Sequence, residues 1–169
     1  MSSIERTAYP RLCEPLTPLE LKRDFTPTEE EKLFAVNSVH RASSRLGILV
    51  LLKVFMRLRR FPRPEEIPAA VVSFVRIHLG LSEKIPLPYR KRKIWLRHCR
   101  AIRRYLDVMS YYGKEARRTA VRLAAEAAST MSQPADILNA VMDGLICARF
   151  ELPDLLQIAS AGGTMCVAG

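Results

Sequence analysis

Histidine and cysteine are scarce in this chain of 169 residues, and their spacing matches no metal site. It has three histidines and four cysteines, and no two cysteines form a C-x-x-C pair. His98 and Cys99 are neighbours, but adjacent side chains of a helix point apart and cannot share one ion. Zinc ligands in proteins come in closely spaced pairs. The sequence therefore predicts no metal and no cofactor, and thiols that stay reduced in the cytoplasm.

Several enzyme motifs are also missing. The chain has no G-x-x-x-x-G-K-[ST], no G-x-G-x-x-G and no G-x-S-x-G. Tyr111 and Tyr112 stand among arginines, as in tyrosine recombinases, but the spacing from His98 to Arg103 does not supply that chemistry. Three adjacent glutamates, 29–31, point apart on a helix and have no His or Asp nearby, so they predict a helix start instead of a metal site. We expect that the chain is not an enzyme on its own.

No apolar run is long enough to cross a membrane. The most apolar stretch, Gly47 to Met56, has about half the length that a bilayer requires and contains Lys53. The first 15 residues include two prolines and no apolar run, so they do not resemble a signal peptide. These features predict a soluble, cytoplasmic protein with no membrane partner.

No segment alternates with the period of two that marks strands, so the predicted fold class is all-α. We expect about seven helices, either in one compact bundle or in two small helical subdomains. The predicted helices are Pro18–Arg23, one after Thr28, Ala42–Leu58, Ala69–Leu79, Tyr89 onward to Tyr111–Gly113, Lys114–Met131, Ala135–Ala148 and Asp154–Ser160. The predicted domain bounds are an irregular lead-in over 1–16, a helical domain over 17–161 and a tail over 162–169. The uncharged tail suggests an accidental end near Ala161, as if a longer protein had been cut or frameshifted.

Local signals give more detail for three of these helices. Thr17 with Glu20, and the Thr26 to Glu31 segment after it, have the pattern of capping boxes. In the second helix, Leu33, Phe34 and Val36 are predicted to face the core. Ala42–Leu58 is predicted to be central, because apolar residues cover most of its circumference. Its inner residues are expected to be Leu46, Leu49, Val50, Leu52, Phe55 and Met56, with Lys53 among the basic residues of its edge.

Positive charge is confined to the middle of the chain. Residues 41–104 hold 17 basic and 3 acidic residues, a net of +14. Residues 1–40 and residues 105–169 each hold 5 basic and 7 acidic residues, a net of −2. Such a distribution is typical of a surface that meets a polyanion.

The segment from Tyr89 to Arg104 contains eight basic residues and no acidic one. At 100° per residue, its apolar side chains share one helical face and its basic side chains share another. The apolar seam is Trp95, Cys99, Ile102 and Leu106, with Tyr105 and Met109 at its edges. The basic stripe is Lys93, Arg97, Arg100 and Arg104. Like charges at this spacing repel by a few tenths of a kcal/mol per pair, so a bound anion would reduce this repulsion within the helix.

The order of these elements resembles the N-terminal region of Tn-three-family transposases. Residues 41–62, RASSRLGILVLLKVFMRLRRFP, are similar to the family signature R-L-G-[FIL]-x-x-x-L-x-x-[FY]-[RK]-x-x-x-[RY]-[FY]-P. Four further elements occur in the order found in that family. They are Leu21–Glu29, which precedes the signature, Val71–Leu81, Tyr89–Arg104 and the helix with its [IV]-x-L-P element in Ala135–Pro153. The resemblance covers about residues 16–161, and Arg45-Leu46-Gly47 and Leu152-Pro153 are its most specific parts.

The resemblance implies a bacterial, nucleoid-associated DNA-binding domain that recognises the terminal inverted repeats of a transposon. The metal-dependent catalytic core of that family lies further along the chain and has no counterpart here. The expected partners are double-stranded DNA at transposon ends, and either a second copy of the chain or a full-length transposase. The candidate DNA-binding residues are Arg41, Arg45, Arg90, Lys91, Arg92, Lys93, Arg97, Arg100, Arg103 and Arg104.

Two other functions fit the same basic face. One is a helical protein-interaction module that binds an acidic protein. The other is a peripheral protein that binds anionic lipid, although a seam containing Cys99 and Tyr105 is more typical of a core than of a membrane-inserted face.

Overall fold

A computed structural model describes residues 7–154 of the chain. These residues form seven α-helices, a short 3-10 helix at Pro64–Glu66 and one isolated β-bridge, between Met109 and Phe150. The α-helices are α1 (Pro18–Phe25), α2 (Glu29–Ser38), α3 (Ala42–Leu58), α4 (Ala69–His78), α5 (Arg92–Leu106), α6 (Lys114–Ala128) and α7 (Pro134–Cys147). The all-α prediction is confirmed for the described residues. The tail predicted over 162–169 lies outside them, as does the last predicted helix except for Asp154, which is not helical.

Backbone contacts divide the chain into two units. Residues 11–106 form one, which we call the α1–α5 unit. The described residues before 11 and after 106 belong to the other, the α6–α7 unit. Two helical units match the second arrangement considered above, and the predicted domain bounds of 17–161 stay a prediction.

Helix α3 is the centre of the α1–α5 unit, and it contacts α1, α2, α4 and α5. Its bounds agree with the prediction, and its side chains from Leu46 to Phe55 are all buried. Two predictions about α3 are wrong. Met56 is 42% exposed although it was expected in the core. Lys53 was expected at the solvent edge but is only 6% exposed.

Two predicted capping boxes begin α1 and α2. In α1, the Thr17 side chain accepts the Glu20 N–H and the Glu20 carboxylate accepts the Thr17 N–H. In α2 the cap is Thr28, whose N–H donates to Glu31 Oε2 at 2.8 Å while Glu31 N–H donates to Thr28 Oγ1 at 3.2 Å. These reciprocal bonds satisfy N–H groups that have no partner inside the helix.

The predicted inner face of α2 is wrong for two of its three residues, and the third, Phe34, is half-buried. Leu33 is 61% exposed and Val36 is 45% exposed, whereas Glu31 and Ala35 are buried. The reason is electrostatic: buried Lys53 on α3 needs a counter-ion, and its Nζ lies 3.1 Å from Glu31 Oε1 and 3.2 Å from Oε2. A charge removed from water is tolerated only with such a partner. Helix α2 therefore turns the Glu31 carboxylate toward α3, and Leu33 and Val36 face solvent.

The α6–α7 unit is built on small residues. Ala116, Ala120, Ala124 and Ala127 form the buried face of α6, as their spacing predicts for a closely approached helix. A Cβ added to Gly144 of α7 would lie 2.7 Å from the Leu123 side chain. Part of the irregular lead-in belongs to this unit, because buried Tyr9 donates its hydroxyl to the Pro153 carbonyl at 2.9 Å.

The basic helix ends earlier than predicted. It was expected to run to Tyr111–Gly113, but α5 stops at Leu106 and Asp107 adopts a positive φ of 52°. The chain then turns into the bridge with Phe150, in which Met109 N–H donates to the Arg149 carbonyl at 2.8 Å. Met109 is therefore not at the edge of the α5 seam.

Candidate nucleic-acid interface

The outer side of α5 and the turn before it carry seven exposed cations. They are Arg90, Lys91, Arg92, Lys93, Arg97, Arg100 and Arg104, and we call them the α5 basic surface. The predicted stripe of four residues lies within this set and is exposed along its whole length. Leu96 is the apolar member of the same face and is 37% exposed.

The inner side of α5 follows the predicted seam in its middle and departs from it at the ends. Cys99 and Ile102 are fully buried, while Trp95 and Leu106 are half-buried. Tyr105 is 39% exposed, and its ring stacks on Phe34 of α2 with centroids 4.1 Å apart. The exposed cations thus belong to a helix that is anchored through its opposite face.

The turn before α5 packs closely against α3. A Cβ on Gly47 would lie 2.6 Å from Pro88 Cδ, so only glycine fits there without a shift. The next residue, Tyr89, has its hydroxyl 3.0 Å from His98 Nδ1. The four consecutive cations from Arg90 therefore follow a rigid turn.

His98 is a buried, neutral part of this anchor. Burial, with a smaller contribution from the charge of Arg97, lowers the pKa of His98 to about 4. Burial also raises the pKa of the Tyr89 hydroxyl, which lies within hydrogen-bonding distance of Nδ1. The other ring nitrogen, Nε2, is buried and has no hydrogen-bond partner among the described residues.

A second anchor lies along the middle of α5 and is built on Phe61. Trp95 Nε1 donates to the Pro62 carbonyl at 3.2 Å, and the Trp95 ring meets Phe61 edge-on. The Arg103 guanidinium lies over the same Phe61 ring, 4.9 Å from its centroid. A cation held on a ring in this way is attracted by the ring quadrupole. Of the predicted DNA-binding residues, Arg103 is therefore half-buried and already engaged with the protein.

Four of the nine acidic residues of the α1–α5 unit form ion pairs, all with cations outside the α5 basic surface. Salt bridges join Arg23 and Arg57 to Asp24, Lys32 to Glu29, Lys53 to Glu31, and Arg60 to Glu66. Within residues 7–154, none of the seven cations forms an ion pair with a carboxylate. Residues 11–106 hold 21 basic and 9 acidic residues, a net of +12. The positive potential of this unit is therefore least compensated along α5.

The other two predicted residues lie at the start of α3. Arg41 is the exposed N-cap residue, and its side chain makes no capping bond. Arg45 is half-buried and its Nε donates to the Val39 carbonyl at 3.4 Å. Neither side chain makes a hydrogen bond or ion pair with α5 in the described part of the chain.

Of the two tyrosines considered above with tyrosine recombinases, Tyr111 is buried and Tyr112 is exposed. Tyr111 is a core residue at 6% exposure, and burial raises its pKa. Across residues 7–154, no group of three His, Cys, Asp or Glu side chains is arranged to hold a metal ion. No helix in this range is both long and apolar enough to cross a membrane.

Sequence reasoning missed three further cations. Lys114, Arg117 and Arg118 are exposed on the first half of α6, in a segment whose net charge is negative. The alanine spacing could have predicted that these cations are exposed, because the helix face opposite Ala116 and Ala120 has to point to solvent.

The family model described as Domain of unknown function (DUF4158) matches residues 1–163. Neither the curated proteins nor the solved structures contain a match to the chain.

Proposed function

We propose that this chain, which belongs to the family described as Domain of unknown function (DUF4158), binds duplex DNA through the α5 basic surface. In the finer form of the proposal, the DNA is the terminal inverted repeat of a Tn-three-type transposon. The observation that carries the proposal is the set of seven exposed cations, none of them paired with a described carboxylate.

Phosphate groups match this surface in charge and in position. Arginine and lysine side chains supply most protein contacts to the DNA backbone, and these contacts fix the register of the protein on the duplex. Arg92 and Lys93 lie in the first turn of α5, which has no acidic residue. Both the helix dipole and these side chains favour an anion at that end.

The exposed face of α5 also has side chains that suit base edges. Arginine binds guanine through two hydrogen bonds in the major groove, and aliphatic groups contact the thymine methyl. Arg97 and Arg100 follow Leu96 at i+1 and i+4 on the exposed side of the helix. We propose that α5 enters the major groove and that these three residues approach the bases.

The proposal includes no catalysis by this chain alone. In the transposase family that the sequence resembles, strand transfer requires a metal-dependent core, and residues 7–154 hold no cluster suited to a metal. The role assigned to the chain is recognition of the DNA ends.

A salt titration of DNA binding tests the proposal. If each of the seven cations neutralises one phosphate, together they contribute about −6 to the slope of log K against log salt, from ~0.9 per phosphate. The probes are labelled duplexes carrying the inverted repeats of the encoding element and scrambled duplexes of equal length. A flat salt response, or binding to neither duplex, rules out DNA binding. Equal affinity for both duplexes rules out inverted-repeat recognition alone.

Two double variants of equal charge locate the surface. Arg97→Ala with Arg100→Ala removes two members of the α5 basic surface, and the slope is expected to be flatter by about 1.8. Arg23→Ala with Lys32→Ala removes two ion-paired cations and is expected to leave the slope unchanged. Equal effects would show that net charge, and not α5, determines binding.

A protein-interaction module is the second candidate. Leu96 and Tyr105 add exposed apolar and aromatic surface to α5, as is common in protein interfaces. This function predicts stable capture of an acidic protein through α5 together with no salt-dependent binding to DNA.

A further inference from the structure

Helix α6 is amphipathic in an unusual way, because its buried face is made of alanine and its outer face is basic. Ala116, Ala120, Ala124 and Ala127 are buried, and the first half of the outer face carries Lys114, Arg117 and Arg118. We call these three residues the α6 basic surface. They span about 6 Å of helix rise, from 1.5 Å per residue.

These cations form no ion pair with the carboxylates of their own unit that the structure describes. Within the described residues, none of the three forms an ion pair, whereas Arg122 on the same helix lies 2.7 Å from Glu126. Two other carboxylates of the unit are occupied. Glu151 is buried and accepts hydrogen bonds from Ser110 Oγ and Tyr111 N–H. Asp107 lies 3.4 Å from Arg149.

We infer that the α6 basic surface is a second DNA-contacting surface, which binds phosphates of the duplex. The inference rests on the proposed function and extends it from the α1–α5 unit to the α6–α7 unit. Charge complementarity selects the ligand: three like charges at i, i+3 and i+4 repel one another, and a run of phosphates relieves that repulsion. Glu115, exposed on the same turn, is the one acidic residue among them.

The test compares salt slopes on one labelled duplex of 40 base pairs. The variant Lys114→Ala, Arg117→Ala, Arg118→Ala is expected to flatten the slope of log K against log salt by about 2.7, from ~0.9 per phosphate. Arg122→Ala is the matched control, since it removes an ion-paired cation of the same helix, and its slope is expected to equal that of the wild type. Alanine favours helix, so α6 is retained, and a circular-dichroism melt verifies this.

Two outcomes separate this inference from the proposed function. If the wild type binds and the α5 double variant weakens binding, but the α6 variant keeps the wild-type slope, the inference is wrong and the proposed function stands. If the wild type shows no salt-dependent binding to the duplex, both fail.

A measurement on the wild-type chain supports the test in case the variants fold poorly. Acetylation of Lys114 by acetic anhydride, followed by mass spectrometry, is expected to slow when the duplex is added. Unchanged reactivity of Lys114 at saturating duplex contradicts the inference. Protection of Lys114 by vesicles of anionic lipid, with none by DNA, would instead assign the surface to a membrane and would also overturn it.

Discussion

Lys53 and the α5 basic surface show the same kind of side chain in two opposite settings of the α1–α5 unit. The Lys53 side chain is 8% exposed, and its ammonium group forms an ion pair with Glu31. The seven cations of α5 are exposed and have no described carboxylate as an ion-pair partner. The first setting holds two helices together, and the second leaves charge available for a ligand.

The difference teaches that the number of basic residues says little about a binding surface until the acidic residues are located. Residues 1–40 looked like a weakly acidic flank in sequence, but four of their carboxylates, those of Asp24, Glu29, Glu31 and Glu20, are committed to local ion pairs or caps. Arg23, for example, donates to Asp24 and lowers the pKa of that carboxyl group.

The largest effect on stability is expected from Lys53→Met. It leaves the Glu31 carboxylate buried without its partner, and breaking such a pair costs about 3–5 kcal/mol. Urea unfolding at pH 7 measures the free energy of unfolding. The double variant Lys53→Met, Glu31→Leu is expected to recover most of the loss, and a loss below about 1 kcal/mol in the single variant would mean that the pair is not structurally important.

A comparable effect is expected from pH, through His98 beneath the α5 basic surface. The pKa of His98 is about 4 in the folded chain and 6.5 when it is exposed. Between these values the unfolded chain binds the proton and the folded chain does not, so stability falls as pH is lowered from 6.5 to 4. From 1.36 kcal/mol per pKa unit, the loss is about 3 kcal/mol. The free energy of unfolding, measured with urea across this pH range, is expected to depend on pH differently in the wild type and in His98→Gln. Parallel curves for the two proteins would contradict the burial of a neutral His98.

An intermediate loss of stability is expected from Gly47→Ala, which alters the packing between α3 and the turn before α5. The new Cβ would lie 2.6 Å from a ring carbon of Pro88, and such overpacking costs about 1–3 kcal/mol. Gly144→Ala is the comparison, because its Cβ would lie 2.7 Å from both Cδ atoms and 3.2 Å from Cγ of Leu123, a flexible side chain that can shift where the Pro88 ring cannot, and alanine favours helix. Urea unfolding is expected to show a loss for Gly47→Ala alone. Similar losses in both variants would indicate that the rigidity of the neighbour is unimportant.

The smallest effect on stability is expected from Arg97→Ala with Arg100→Ala. Exposed charges without partners contribute little, so the free energy of unfolding should change by less than about 0.5 kcal/mol. Thermal melts at low and high salt measure the change. A loss of several kcal/mol would show that these arginines have a structural role and would weaken the contrast with Lys53.

Local signals in the sequence predicted the helices well, because caps and periodicity are written in adjacent residues. The bounds of α3 and the Thr17 cap agree with the prediction, and the cap of α2, Thr28, lies within the predicted Thr26 to Glu31 segment. The orientation of α2 could not be predicted, since it depends on a partner 22 residues away in the chain, Lys53. The early end of α5 depends on a pairing of Met109 with Phe150 that no local pattern reveals.

The candidate site was predictable to a similar degree. The exposed stripe follows from helical periodicity alone. The contact of Arg103 with Phe61 and the need for glycine at Gly47 could not be predicted, because both depend on packing between segments that are distant in sequence.

The carboxylate of Glu31 also has a consequence for local opening of the fold. One oxygen, Oε2, accepts the Thr28 N–H and lies near Lys53, so the first turn of α2 and its attachment to α3 share a single group. Leu33 and Val36 face water, so the remaining apolar contacts of α2 come from buried Ala35 and from Phe34, whose ring stacks on Tyr105. Amide protons in the first turn of α2 should therefore exchange with deuterium in one step, when the helix detaches from α3, and not by gradual fraying from Thr28.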